Sequence, residues 1–267
     1  MFIPLYDSNP THRIPYQYVT LAIVAACVLV FLWQISLDPR SAEEAIYALG
    51  AIPAVITGQR QLPPDIAIIP SYATIITSMF LHGGWMHLIG NMVFLWVLGD
   101  NIEDAMGHMR YVVFYLVCGI AAAFCHMAAD FGSTMPMVGA SGAISGVIGA
   151  YLVLHPKAKI HVLISWWVVA LPAWIVLGGW IALQFFNVAT GGGGGIAWWA
   201  HIGGAAAGVI LIPFFKHDAI PLFDGFVGEP TPTKAAQQTR ARQPSGIRLV
   251  RRDERGVDSG DPRRPWR

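Results

Sequence analysis

Residues 160–215 form a run of 56 residues without a single Asp, Glu, Lys or Arg. As one helix the run would be about 84 Å long, whereas the hydrocarbon core of a bilayer is only about 30 Å thick. The run also contains five consecutive glycines, residues 191–195, and such a stretch interrupts a helix. We therefore expect two membrane-spanning helices here, near residues 163–187 and 196–215.

Four further runs lack charged side chains; they cover residues 14–37, 66–99, 111–129 and 131–156. A helix crosses the hydrocarbon in about 20 residues, so each run holds one span. The second run is overlong, and its helix is expected to begin after Gly83-Gly84. Only 12% of the chain is charged, against about 25% in an average soluble domain. The sequence thus predicts an all-α polytopic membrane protein, a bundle of six transmembrane helices within residues 1–215.

The basic residues predict how the chain lies in the membrane. With six spans both termini share one side, and that side holds fifteen of the seventeen Lys and Arg residues. Because Lys and Arg are enriched on the cytoplasmic side, we expect cytoplasmic termini in the plasma (inner) membrane of a bacterium. Residues 216–267 are rich in Pro, Arg, Gln and Gly. We expect them to form a basic, disordered cytoplasmic tail.

A serine stands at the start of an unusually short apolar helix. Pro136 precedes Ser141 and Pro156 follows Leu154, so the helix is expected to cover 14 residues, or about 21 Å. A helix shorter than the hydrocarbon core leaves Ser141 sunk below the membrane surface. The unpaired N–H groups of a helix N-terminus are suitable donors for a developing oxyanion. Alone, the pattern also fits an N-cap serine on a helix of small residues.

His201 is the candidate base for that serine. It lies six residues after Gly195, near the end of the sixth expected helix that shares a membrane side with Ser141. An ionisable side chain inside a span is costly and normally faces the bundle interior. Gly149 shares a helix face with Ser141, and Gly204 shares one with His201, so the two backbones can approach closely. The alternative is a core histidine satisfied by a backbone carbonyl.

Further polar side chains are expected near the same end of the bundle. His87 and Asn91 are spaced i, i+4 on one helix face, and both can donate hydrogen bonds to an oxyanion. His82 precedes them by a turn or more. Metal binding is the rival interpretation, with Cys125 and His126 as further ligands. No zinc-motif spacing and no HExxH pattern occur, so we expect no metal.

No carboxylate is expected beside the serine and the histidine. Asp100, Glu103 and Asp104 fall at the opposite end of the second expected helix, and Asp130 falls in a loop. A Ser–His dyad without an acid is therefore the simplest prediction.

These motifs together resemble those of the rhomboid family over residues 15–215. The segment 139–142 resembles the family's GxSG motif, Ala200-His201 with Gly204 resembles its AHxxG motif, and residues 82–91 resemble its HxxxxHxxxN signature. The resemblance implies cleavage of transmembrane segments without metal, nucleotide or other cofactor. It implies the following roles: Ser141 as nucleophile, His201 as general base, His87 and Asn91 as oxyanion donors, and His82, Gly139, Gly142 and Gly204 as structural residues near the site.

The sequence departs from the family pattern at two places. Some bacterial members carry a tyrosine one turn after the nucleophile that stacks on the base, and Ser145 stands there instead. His201 is then expected to be oriented by Trp198 or Trp199. Many members also have a Trp-Arg pair in the first outer loop, where this chain has Arg40 after Pro39 and Arg60 after Gln59.

Three function classes follow from these observations. The leading prediction is a serine endopeptidase that acts on single-span membrane proteins within membrane lipid and binds no nucleic acid. The alternative is a catalytically silent relative that binds or escorts membrane proteins, although such relatives usually lack the serine or the histidine. A small transporter is the third, but its polar groups should recur through the whole depth of the bundle.

Overall fold

The computed structural model describes residues 2–192 and 196–224. This part of the chain folds into nine α-helices and three β-strands, with a short 3-10 turn at Ser71–Ala73. In chain order the elements are β1 (Phe2–Asp7), α1 (Tyr18–Ser36), α2 (Pro39–Leu49), α3 (Pro53–Ile56), α4 (Thr74–Thr77), α5 (Trp85–Met106), α6 (His108–Ala129), α7 (Ser141–Leu154), β2 (Lys159–Ile164), β3 (Trp167–Pro172), α8 (Ala173–Ala189) and α9 (Trp198–Phe215).

The prediction of a mostly helical membrane protein is confirmed, but the count of six spans is not. Among the described residues, α1, α6 and α9 are long and apolar enough to cross a membrane. The helices α7 and α8 are apolar but shorter, and α5 ends in a segment that carries three carboxylates. The six-span arrangement therefore stays a prediction.

The helix α7 lies at the centre of the helices. It packs against α5, α6, α8 and α9, and every residue from Gly142 to Tyr151 is buried. We call the end of the bundle that holds Ser141 the site end, and the end that holds Glu103 the carboxylate end. The helix α5 runs from the site end to the carboxylate end, as does α7.

The backbones of α7 and α9 touch because two glycines of α9 lie directly against the backbone of α7. A Cβ added to Gly204 would collide with the carbonyl oxygen of Gly142, and one added to Gly208 would collide with that of Gly146. Glycine lets helices approach until their backbones are in contact, which maximises dispersion contacts in lipid. The small residues of the two sequence motifs therefore set the distance between these helices.

A three-stranded sheet lies at the carboxylate end, where all-α structure was expected. The strand β1 pairs antiparallel with β2, and β2 pairs antiparallel with β3. The fifth helix was predicted near 163–187, but α8 begins only at Ala173. Residues 159–172 are rich in Val, Ile and Trp, which favour strands, so they form a hairpin before the helix begins. Periodicity alone cannot separate a short apolar strand from a buried helix.

Two carboxylates of α5 fasten the start of the chain to the carboxylate end. Glu103 is fully buried and accepts hydrogen bonds from the backbone N–H groups of Val19 and Thr20. Asp104 accepts three backbone N–H groups from residues 12–14. A buried carboxylate is tolerated only when it is fully hydrogen-bonded, so these bonds fix where α1 begins relative to α5.

The predicted tail, residues 216–267, is described only as far as residue 224. Residues 217–224 return to the bundle: the N–H of His217 donates to Ala105, and those of Phe223 and Asp224 donate to Val153 and Leu154. Residues 225–267, and with them most of the predicted tail, lie outside the described residues. The disorder and the cytoplasmic location of the tail therefore stay predictions.

The close approach of α7 and α9 yields a stability prediction. Gly208→Ala is expected to destabilise the folded protein by about 1–3 kcal/mol, because the new methyl group would overlap backbone that cannot move away. The measurement is thermal or denaturant unfolding in detergent.

Gly178→Ala is the matched control for that substitution. Gly178 also lies inside an apolar helix, but a Cβ there meets no atom within 4 Å. Alanine is expected to be neutral there or stabilising by up to about 1 kcal/mol, since it favours helix more than glycine does. Equal stability of the two variants would contradict the contact between α7 and α9.

Candidate active site

Ser141 is the first residue of α7, and the segment before it is held from two sides. Met137 pairs with Ala51 through two backbone hydrogen bonds, and the N–H of Gly139 donates to the carbonyl of Ser78. Gly139 has a φ of 120°, a region that residues with a Cβ rarely adopt. The chain therefore turns sharply at Gly139 and enters the helix with Ser141 at its N-terminus.

His201 lies in the first turn of α9 and contacts Ser141 directly. Its Nε2 is 2.8 Å from the hydroxyl Oγ of Ser141. The contact follows from the packing of the two helices. Gly204, one turn after His201 on α9, lies against the backbone of Gly142, the residue that follows Ser141. A serine within hydrogen-bond distance of a histidine is the arrangement that activates a hydroxyl nucleophile.

The second ring nitrogen of His201 also has a partner, which none of the sequence motifs indicates. Its Nδ1 lies 2.8 Å from Oε1 of Gln184 on α8. The rings of Trp180 and Trp198 flank the imidazole, with centroids 5.5 Å and 6.1 Å away. Contact with Trp198 matches one of the two expected tryptophans. In the sequence, Gln184 is recognisable only as an amide inside an apolar helix.

His87 and Asn91 lie beside the glycine turn that precedes Ser141. A Cβ added to Gly139 would lie 2.6 Å from Nε2 of His87 and 3.6 Å from Nδ2 of Asn91. Asn91 is 7% exposed, and its buried Nδ2 has no hydrogen-bond partner among the described residues. A buried amide donor without a partner is rare, because leaving it unpaired costs free energy. This geometry leaves a donor available to a group bound near Ser141.

The tautomer of His87 also bears on this site. The N–H of Gly83 donates to Nδ1 of His87 at 3.4 Å. This bond favours the tautomer with the proton on Nε2. That nitrogen is the ring atom that lies beside Gly139. His87 can therefore donate a hydrogen bond on the same side as Asn91.

His82 contacts Gln34 of α1 and His87 of α5. Its N–H donates to Oε1 of Gln34 at 3.0 Å, and its carbonyl accepts from Nε2 of Gln34 at 3.3 Å. Its ring packs edge-on against that of His87, with centroids 5.2 Å apart. These contacts join α1 to the start of α5.

The described part of the chain contains no cluster of side chains that could bind a metal ion. No three His, Cys, Asp or Glu side chains there are grouped so that they could hold a metal ion. Cys125, one of the residues considered as a ligand, packs against Gly203 of α9. The absence of a metal stays a prediction.

Comparison with known proteins identifies a matching family and several relatives of this chain. A family model described as the Rhomboid domain matches residues 70–217. Rhomboid protein 1, mitochondrial, of Saccharomyces cerevisiae is 29% identical over 185 residues, which cover 62% of this chain and 51% of that protein. RHOMBOID-like protein 6, mitochondrial, of Arabidopsis thaliana is 31% identical over 51% of this chain and 41% of its own length. Rhomboid protease GluP of Bacillus subtilis is 38% identical over 29% of this chain and 15% of its own length.

The comparisons correct the predicted location. Three relatives that align with half or more of this chain, one each from yeast, Arabidopsis and zebrafish, carry mitochondrial names. They point to a eukaryotic membrane, so the prediction of a bacterial plasma membrane is wrong. The chain spans about half or less of the length of each of these relatives.

Partial exposure of the site predicts that water reaches Ser141. Ser141 and His201 are partly exposed, whereas Ile148, two turns deeper on α7, is 1% exposed. In a background where Cys27, Cys118 and Cys125 are replaced by alanine, we expect Ser141→Cys to react much faster than Ile148→Cys with a small water-soluble thiol reagent. Both variants should react fully once unfolded. Equal protection of both thiols in folded protein would rule out a water-filled site.

Proposed function

The chain belongs to the rhomboid family, and on that premise we propose that it is an intramembrane serine endopeptidase that cleaves transmembrane segments of membrane proteins. Its nucleophile is Ser141 and its general base is His201. The observation that carries the proposal is the 2.8 Å contact between Oγ of Ser141 and Nε2 of His201. The domain is a six-span bundle, and the reaction needs no cofactor.

The dyad accounts for each proton in the reaction. Oγ of Ser141 attacks the scissile carbonyl carbon while its proton passes to Nε2 of His201. The imidazolium then gives that proton to the departing amine, which leaves an acyl group on Ser141. A water molecule then attacks the acyl carbon while His201 takes the water's proton. The bond between the acyl carbon and Oγ breaks, the imidazolium returns the proton to Oγ of Ser141, and the second product leaves with a new carboxyl group.

The negative charge on the tetrahedral intermediate needs donors beside Ser141. His87 and Asn91 flank the turn at Gly139, and the N-terminus of α7 presents unpaired backbone N–H groups at the same place. Donors already fixed in position stabilise the developing charge without reorganisation. The unpaired Nδ2 of Asn91 supports this role.

The depth of the site suits a substrate that is itself a membrane helix. From Ser141 to Leu154, α7 has 14 residues, or about 21 Å against a hydrocarbon core of about 30 Å. Ser141 would therefore lie below one surface of the bilayer. Single-span proteins can present a peptide bond at that depth, and the surrounding lipid holds enzyme and substrate in one plane.

Replacement of the nucleophile tests the proposal. Ser141→Ala is expected to abolish cleavage of a single-span substrate in liposomes, because no oxygen remains to attack the carbonyl. A mechanism-based serine reagent is expected to label the wild type at Ser141 and to leave His201→Ala unlabelled.

Ser145→Ala is the matched control for that experiment. Ser145 lies one turn further along α7 and is fully buried, and its hydroxyl donates to the carbonyl of Ser141. We expect this variant to keep its activity. Wild-type protein that binds the substrate helix without cleaving it would favour the silent escort protein instead.

The oxyanion donors give a separate prediction. Asn91→Ala and His87→Ala are each expected to lower kcat by about 10²–10³-fold, because their hydrogen bonds strengthen as charge develops. Single-turnover cleavage measures the rate. Binding of the substrate helix to Ser141→Ala, with each second substitution added, measures the affinity and should change little. Unchanged rates in folded variants would leave His87 and Asn91 as packing residues.

A further inference from the structure

Gln184 is a buried polar residue in a helix that is otherwise almost wholly apolar. It lies on α8 and is 2% exposed. A polar side chain in such a position is costly unless it is hydrogen-bonded, so its partners indicate its role. Both polar atoms of the amide have partners, and one of them is His201.

The orientation of the amide follows from its two bonds. Nε2 of Gln184 donates to the carbonyl of Trp180 at 2.7 Å. If the amide were flipped, its oxygen would face that carbonyl oxygen, and neither atom could donate. The oxygen of Gln184 therefore faces Nδ1 of His201, 2.8 Å away.

An acceptor at Nδ1 decides which nitrogen of His201 carries the proton. Oε1 of Gln184 can only accept, so Nδ1 must hold the hydrogen. The lone pair then lies on Nε2, which is the nitrogen that faces the hydroxyl of Ser141. Only this tautomer can take the serine proton.

We propose that Gln184 is the positioning residue of the dyad: it holds His201 in the reactive tautomer and stabilises the imidazolium that forms when Ser141 is deprotonated. This inference rests on the proposed protease function. Among the described residues no carboxylate forms an ion pair with His201. A neutral amide supplies the acceptor without burying a charge inside the bundle, which would cost far more.

The ring of Trp180 adds to the same constraint. It lies 5.5 Å from the imidazole, and its backbone carbonyl holds the amide of Gln184. One turn of α8 therefore limits the imidazole both by ring contact and by a hydrogen bond. Orientation of the base thus depends on α8, while the serine and histidine themselves belong to α7 and α9.

The test compares two replacements of Gln184. Gln184→Met keeps the length of the side chain but removes the oxygen acceptor. Gln184→Glu restores an oxygen at the same place, and its carboxyl group, when protonated, can still donate to the carbonyl of Trp180. We expect Gln184→Met to lower kcat by about 10- to 100-fold, the effect of losing a hydrogen bond to a charged group, with little change in KM. Gln184→Glu is expected to recover most of that loss.

Asn187→Leu is the matched control on the same helix. The amide of Asn187 donates to the carbonyl four residues earlier, as Gln184 does, but among the described residues no hydrogen bond joins Asn187 to His201. Its replacement is expected to leave kcat unchanged. Equal kcat in wild type, Gln184→Met and Gln184→Glu, all folded, would overturn the proposal.

A spectroscopic measurement separates this inference from the protease function. In protein labelled with 15N-histidine, the signal of His201 is identified by its loss in His201→Gln. We expect a protonated Nδ1 in wild type and a mixture of tautomers in Gln184→Met. The tautomer remains measurable if the wild type proves inactive, which would refute the protease function alone. A tautomer unaffected by Gln184→Met would overturn the role of Gln184.

A shorter amide keeps the proposal testable if Gln184→Met does not fold. Gln184→Asn retains an amide but withdraws its oxygen from Nδ1 by about one methylene, so the hydrogen bond is broken without loss of polarity. We expect it to lower kcat as Gln184→Met does. Full activity of a folded Gln184→Asn would also overturn the proposal.

Discussion

The backbone contact between α7 and α9 is the constraint on which the candidate site depends. Gly204 and Gly208 of α9 lie against the backbone carbonyls of Gly142 and Gly146 on α7, and a Cβ at either α9 position would collide with them. In lipid, helices are not driven together by burial of apolar surface, so close packing of backbones supplies much of the attraction. The spacing set in this way brings the first residue of α7 within reach of the first turn of α9.

The opposite end of the bundle is stabilised by a different interaction. Glu103 and Asp104 sit on α5 and satisfy backbone N–H groups that precede or begin α1. These bonds fix α5 at the carboxylate end. At the site end, Gln34 of α1 forms hydrogen bonds with the backbone of His82, which precedes α5. The helix that carries His87 and Asn91 is therefore fastened near both ends, which keeps its two candidate donors in place.

Several features of the site could be predicted from local sequence because they obey local rules. Pro136 and Pro156 limit the extent of α7, and the observed helix runs from Ser141 to Leu154 as expected. The glycine pair before Trp85 similarly marks the start of α5. The hairpin at residues 159–172 was missed, because an uncharged apolar run fits a strand or a helix until its partners are known. Pairing with β1, at the start of the chain, decided that it forms a strand.

The sequence by itself determined that this chain is a helical membrane protein with a serine and a histidine at the ends of two glycine-rich helices. Charge-free runs and glycine spacing carry that information because lipid and close packing impose it on each segment separately. Only the tertiary structure decided that Gln184 supplies the acceptor at Nδ1 of His201. Gln184 lies on a third helix, 17 residues away in sequence, and no local rule relates an amide on one helix to an imidazole on another. The contact between Gln184 and His201 depends on how α8 packs against α9, which is a property of the assembled bundle.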